Sequence, residues 1–249
     1  MKRFPIIAVL IALVAVWTVS PAFAQEKVHV AVAANFILPF QEMASLFEKK
    51  TGIPVEATYS STGQLYAQIG RGAPYDLFLS ADQERPALLY KGGRAETPFV
   101  YATGRVVLWS MRKEFCSAGD WRKALNLPGI RKIAMANPKA APYGAAAKSA
   151  LDKAGLGESL QGKLVYAQNI AQVFQYVSTG GVEAGFCAQS SALADQGRKG
   201  CTYAVDEAPS IVQGACLLKR SAAKNGPREL VRFLVSPEAL AIKKKYGYQ

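Results

Sequence analysis

From Val28 onward two hydrophobic rhythms alternate along the chain. Short apolar, β-rich runs at 28–33, 55–59, 76–80, 105–110, 132–136, 163–166, 184–187, 202–205 and 212–218 predict strands. Between them apolar residues return at helical spacing: Phe36, Phe40, Met43 and Phe47 make one stripe, and Ala147, Ala150, Leu151 and Ala154 a second. Ile170, Val173, Phe174 and Val177 make a third. Each stripe reads as a face turned toward a core, and the alternation of strand and helix predicts an α/β fold.

No repeat or low-complexity linker divides the chain, yet the alternation is long for one small sheet. Two lobes joined by crossing strands fit it better. The long apolar runs at 104–111 and 211–218 are the candidate crossings, so that the C-terminal residues return to the first lobe. The expected division is 25–108 with 216–249 as lobe 1 and 109–215 as lobe 2.

The first 24 residues follow neither rhythm. Lys2 and Arg3 precede an apolar run at 6–19, and Pro21-Ala22-Phe23-Ala24 ends in a small-x-small pattern, which predicts a cleavable secretory signal peptide with Gln25 as the new N-terminus. The run of about 14 residues falls short of the roughly 20 that span a bilayer. No cysteine stands at the cut to carry a lipid, so a soluble, monomeric periplasmic product is expected.

Removal of 24 from 249 residues leaves 225, and the loss of Lys2 and Arg3 lowers the net charge from +12 to +10. That charge suits an anionic partner. Export argues against nucleic acid, and the one dense basic run, Lys243-Lys244-Lys245, reads as a solvated helix face. Four cysteines in an exported chain permit two disulfides in three connectivities. Cys201 and Cys216 flank apparent neighbouring strands and are slightly favoured as a pair, while Cys187 fits a buried thiol; Cys116 is left open. With His29 as the only histidine and no ligand spacing among the cysteines, neither a metal site nor any cofactor is expected.

Candidate chemistry sits at four junctions where a strand ends and a helix begins: Ala33-Ala34-Asn35, Ser60-Ser61-Thr62-Gly63, the segment 137–144 with Pro142-Tyr143-Gly144, and Ala167-Gln168-Asn169 ahead of Ile170. A helix N-terminus carries unpaired N–H groups and the positive end of the helix dipole, so four converging from two lobes would hold an anion without a charged side chain. Taken singly, Ser, Thr and Asn at such positions are ordinary caps. Enzyme constellations are absent: there is no phosphate-binding Gly-Lys-Ser/Thr loop, no Gly-x-Ser-x-Gly elbow and no His-Glu-x-x-His. Asp76 and Asp82 could pair as catalytic carboxylates, although Asp82 better suits the cap of the following helix. Ferric iron would need more Tyr, His and carboxylate groups than these loops hold, and an organic anion would need an arginine, for which Arg105 on a crossing strand is the nearest candidate.

The segments Val30-Ala31-Val32-Ala33-Ala34-Asn35, Ser61-Thr62-Gly63-Gln64-Leu65 and Gly72-Ala73-Pro74-Tyr75-Asp76, running on to Ser80-Ala81-Asp82, resemble the periplasmic molybdate-binding proteins of ABC importers. The resemblance continues through Thr103-Gly104-Arg105, Ala136-Asn137-Pro138, Gln168-Asn169-Ile170 and Ala184-Gly185-Phe186. It implies a type II periplasmic binding fold, two lobes closing on molybdate or tungstate, and delivery to a membrane ABC permease. Carried over residue by residue, it implies donors from Asn35, Ser61 and Thr62 in the first lobe and from Tyr143 and the Ile170 amide in the second. Ala34 and Asn169 would support them, and Ala188 stands where some members carry a tyrosine ligand. None of the four loops contains Asp or Glu, which suits a fully ionised dianion better than one that still carries a proton. Sulfate on the same scaffold is the alternative.

Overall fold

The computed structural model describes residues 27–249, so the predicted signal peptide lies outside the described residues. The chain opens with β1 (Val28–Ala33), a 3-10 turn (Ala34–Phe36), α1 (Ile37–Thr51), β2 (Val55–Ser60), α2 (Thr62–Gly70), β3 (Leu77–Leu79), α3 (Glu84–Lys91) and β4 (Phe99–Gly104). It continues with β5 (Val106–Ser110), α4 (Trp121–Leu125), β6 (Ile133–Ala136), α5 (Pro142–Lys153), α6 (Gly157–Leu160), β7 (Leu164–Ala167), α7 (Ile170–Ser178), β8 (Ala184–Ala188), α8 (Gln189–Leu193) and β9 (Cys201–Ala204). It ends with β10 (Ile211–Leu217), α9 (Asn225–Leu234) and α10 (Pro237–Lys245).

These strands build two five-stranded sheets, ordered β2-β1-β3-β10-β4 and β7-β6-β8-β5-β9. In each, parallel neighbours reached through helices are completed by antiparallel strands. The result is the two-lobed α/β architecture expected of the alternating rhythm. Phe40, Met43 and Phe47, with Phe36 of the preceding turn, bury one face of α1 against β1 and the C-terminal helices, and Ile170, Val173 and Val177 bury one face of α7 against the second sheet. Phe174 leaves that stripe to stack on Trp109, with ring centroids 4.4 Å apart.

The strand Phe99–Gly104 was not expected from the sequence, because only Arg105 separates it from β5 and the two read as one apolar run. It sits at the edge of the first sheet beside β10. The chain therefore changes sheets at Arg105 and again over residues 205–210, so that β5 lies wholly in the second sheet and β10 wholly in the first. The expected boundaries at 108 and 216 fall inside these two strands, since apolar length alone does not mark where a strand changes partners.

The disulfide also departs from expectation. Cys116 pairs with Cys201, Cα to Cα 5.1 Å, while Cys187 and Cys216 are free and buried. Cys201 and Cys216 are close in sequence, but they lie on β9 and β10, on opposite sides of the second crossing. Cys216 packs instead with Ala31, Leu65 and Phe78.

Candidate functional site

All four junctions lie at the strand ends that face the other lobe, and they meet in pairs. The turn Ala34–Phe36 packs against α7, and the start of α2 meets the loop ahead of α5, where the Gly63 amide donates to the Ala140 carbonyl at 2.9 Å. A Cβ at position 63 would stand 3.0 Å from that carbonyl oxygen, so a side chain there would press the loop back by a few tenths of an ångström. Ala33, Ala34 and Ala81 of the first lobe share one apolar cluster with Tyr143, Ile170 and Ala188 of the second.

Ser61 occupies the N-cap of α2, yet its hydroxyl makes no capping hydrogen bond. Its Oγ is buried and has no hydrogen-bond partner among the described residues. Leaving such a group unsatisfied costs about 1–3 kcal/mol, which a fold retains when a ligand completes it. Thr62, the first residue of α2, accepts the Ala81 amide on Oγ1 at 2.9 Å and keeps its own proton for another acceptor. Ile170 opens α7, so its amide is one of the first-turn N–H groups that have no acceptor within the helix. Asn169 serves as a plain cap, its Oδ1 taking the Gln172 amide at 3.0 Å. Ala188, fully buried, ends β8 and leads into α8.

Asn35, expected among the first-lobe donors, has its side chain engaged within the protein. Its Nδ2 gives hydrogen bonds to Gln213 Oε1 at 2.8 Å and to the Tyr248 hydroxyl at 3.1 Å, and its carbonyl accepts from Tyr248 at 2.7 Å and from Ser190 at 2.9 Å. Both side-chain protons are thus engaged in a buried polar cluster where the chain crosses between lobes. Tyr101 also donates to Gln213 Oε1, at 2.9 Å, and Gln213 Nε2 donates to the Tyr143 hydroxyl at 3.4 Å. The Tyr143 ring runs over Gly104, where a Cβ would collide with its hydroxyl at 2.1 Å. Burial raises the phenol pKa of Tyr101, Tyr143 and Tyr248, so all three remain neutral hydroxyls in water near neutral pH.

Gln213, Tyr101, Tyr248 and Ser190 were not singled out from the sequence. The one signal present was a glutamine inside the apolar run at 211–218, a polar residue where the pattern calls for none.

The two conspicuous carboxylates hold structure. Asp82 accepts the Arg85 amide at 3.0 Å and pairs with the Arg85 guanidinium, capping α3. Asp76 is buried and takes the His29 amide at 2.7 Å, the Lys224 ammonium at 3.1 Å and the Ser221 hydroxyl. Among the described residues no group of three or more His, Cys, Asp or Glu side chains could hold a metal ion, and no helix is long and apolar enough to cross a membrane. A groove of about 500 Å3 touches the junctions only at Ala34, Asn35 and Ala171. Its walls combine Ile37, Leu38, Phe174 and Leu193 with the charged side chains of Asp195, Arg198 and Lys245.

Residues 28–249 match the family model described as bacterial extracellular solute-binding protein. The molybdate-binding protein of Rhodobacter capsulatus is 40% identical over 230 residues, covering 92% of this chain and 90% of that protein. The molybdate-binding protein of Azotobacter vinelandii is 40% identical over 227 residues, covering 89% of each. The solved structure of the Azotobacter vinelandii periplasmic molybdate-binding protein superposes with a TM-score of 0.84 at 33% identity, covering 90% of this chain and 99% of that one.

Proposed function

The chain belongs to the bacterial extracellular solute-binding proteins, and from that premise we propose that it captures molybdate or tungstate between its lobes and delivers it to a membrane ABC permease in the periplasm. The observation that carries this reading is the buried, unpartnered hydroxyl of Ser61 at the start of α2, the helix joined to the second lobe through Gly63 and Ala140.

Around it the available groups are donors. The Ser61 and Thr62 hydroxyls, the Thr62 and Ile170 amides that open α2 and α7, and the Tyr143 hydroxyl all offer protons, and no carboxylate stands at the four junctions. A fully deprotonated tetrahedral dianion such as molybdate accepts hydrogen bonds on every oxygen and has none to give. Helix dipoles add attraction without a counter-charge, so the ligand is held by short, charge-assisted bonds that can be released when the lobes part. Asn35 contributes through its backbone and by bracing the hinge, and Ala34 through its place in the same turn. No covalent bond changes, and the monomer is the working unit.

Thermal melts of the mature protein with molybdate, tungstate, sulfate and phosphate test this reading. Ligand at about 100 times its dissociation constant stabilises the fold by roughly 2.7 kcal/mol. Shifts with molybdate and tungstate that exceed those with sulfate and phosphate are expected; a shift with sulfate alone would reassign the ligand.

A further inference from the structure

The buried cluster at the crossing has a direction built into it. Gln213 is fully buried on β10, at the point where the register with β4 shifts. Its carbonyl oxygen is occupied by Asn35 Nδ2 and the Tyr101 hydroxyl, which turns its amide nitrogen toward Tyr143. An amide nitrogen has only protons to offer. The Tyr143 oxygen must therefore accept on that side, and its single proton is left to point elsewhere. The Tyr248 hydroxyl spends its own proton on the Asn35 carbonyl, so toward Tyr143 it is an acceptor, and in the described conformation the Tyr143 proton rests on this neutral oxygen. A dianion is the stronger acceptor.

Resting on the oxyanion reading above, we propose that Gln213 is a positioning and specificity-determining residue, which orients the Tyr143 hydroxyl as a donor and so biases the site toward oxyanions that carry no proton. Gln213 does not touch the ligand. It acts through Tyr143, as an amide that accepts from one lobe and donates to a side chain of the other. Replacing it by a carboxylate reverses the polarity: Gln213→Glu offers acceptors only, the Tyr143 proton turns inward to it, and an oxygen lone pair faces the ligand. Molybdate then loses a donor, while hydrogen phosphate gains a place for its proton.

The test is a double-mutant cycle read by isothermal titration with molybdate and with phosphate at neutral pH, using wild type, Gln213→Glu, Tyr143→Phe and the double variant. Gln213→Glu should weaken molybdate binding by about 10- to 100-fold and narrow the molybdate-to-phosphate preference. In the Tyr143→Phe background the same substitution should cost at least about fivefold less, the remainder being repulsion of the dianion by the added charge. An equal loss in both backgrounds would make Gln213 merely structural and overturn the proposal, as would unchanged affinity in the single variant. Should Gln213→Glu fail to fold, Gln213→Met enters the same cycle, where loss of molybdate affinity dependent on Tyr143 is again required. A wild-type chain that binds no oxyanion removes the functional reading and this one with it, whereas a wild type that binds molybdate without the Tyr143-dependent effect removes this one alone.

Discussion

The amide of Gly63 donates to the carbonyl of Ala140 at 2.9 Å, joining the first turn of α2 in one lobe to the loop ahead of α5 in the other. The described conformation is therefore one in which the lobes touch at the site, and the contact depends on the missing side chain at 63. Gly63→Val should hold the lobes apart. Ligand affinity is expected to fall at least tenfold, the effect of about 1.4 kcal/mol, and small-angle scattering with ligand should show a larger radius of gyration than wild type. Equal affinity and equal radius would remove this contact from the closing movement.

Ser61→Ala separates stability from binding. The substitution deletes a buried hydroxyl that has no partner, so the unliganded protein should melt at the same temperature or slightly higher, while molybdate affinity drops by roughly 10- to 100-fold. A lower unliganded melting temperature with unchanged affinity would mean that Ser61 supports the fold.

Acid should loosen the anchor between the first sheet and the segment after β10. Burial pushes the Asp76 carboxyl up, but the Ser221 hydroxyl, the His29 amide and the Lys224 ammonium outweigh it and hold its pKa below the ordinary aspartate value. A group whose folded pKa is depressed contributes stability that is complete above its unfolded pKa and is lost as pH falls through the folded one. Asp76→Asn should therefore lower the melting temperature at pH 7, and the difference from wild type should shrink as the pH falls below the unfolded aspartate pKa of about 3.9. A difference that stays constant down to pH 2 would exclude this carboxylate as its source.

Alkylation followed by mass spectrometry reports the thiols. Cys187 and Cys216 should resist labelling in the folded protein, since burial raises both pKa values, that of Cys216 to about 12. Unfolding without reductant should expose these two, and reduction should add Cys116 and Cys201. Loss of the bridge in Cys116→Ser should cost about 2–4 kcal/mol, measured by denaturant unfolding. Labelling of Cys201 before reduction would contradict the pairing.

The parts of the candidate site that are readable in the amino-acid sequence are those that punctuate it. Asn35, Ser61, Thr62, Tyr143 and Ile170 each stand where a strand rhythm gives way to a helical one, and that change is visible in a single chain. Gln213, Tyr101, Ser190 and Tyr248 come together only after folding, from two strands, a short helix and the C-terminus. Their partners are between 58 and 213 residues away in the chain, so no local pattern announces them. The same reason hides the disulfide: the bridge spans 85 residues within one lobe, while the nearer pair of cysteines is divided between sheets. Asn35 is legible as a candidate, but the acceptors of its side chain, Gln213 and Tyr248, were out of view.

The crossings also have a mechanical meaning. Ile211 faces Gly104 on one side of the passage and Ala204 faces Val107 on the other, so the two chain segments run side by side as a narrow ribbon. A ribbon bends easily across its thin dimension and resists shearing in its plane. In the proposed cycle, opening would follow a single rocking motion that returns the candidate donors on opposite lobes to the same register.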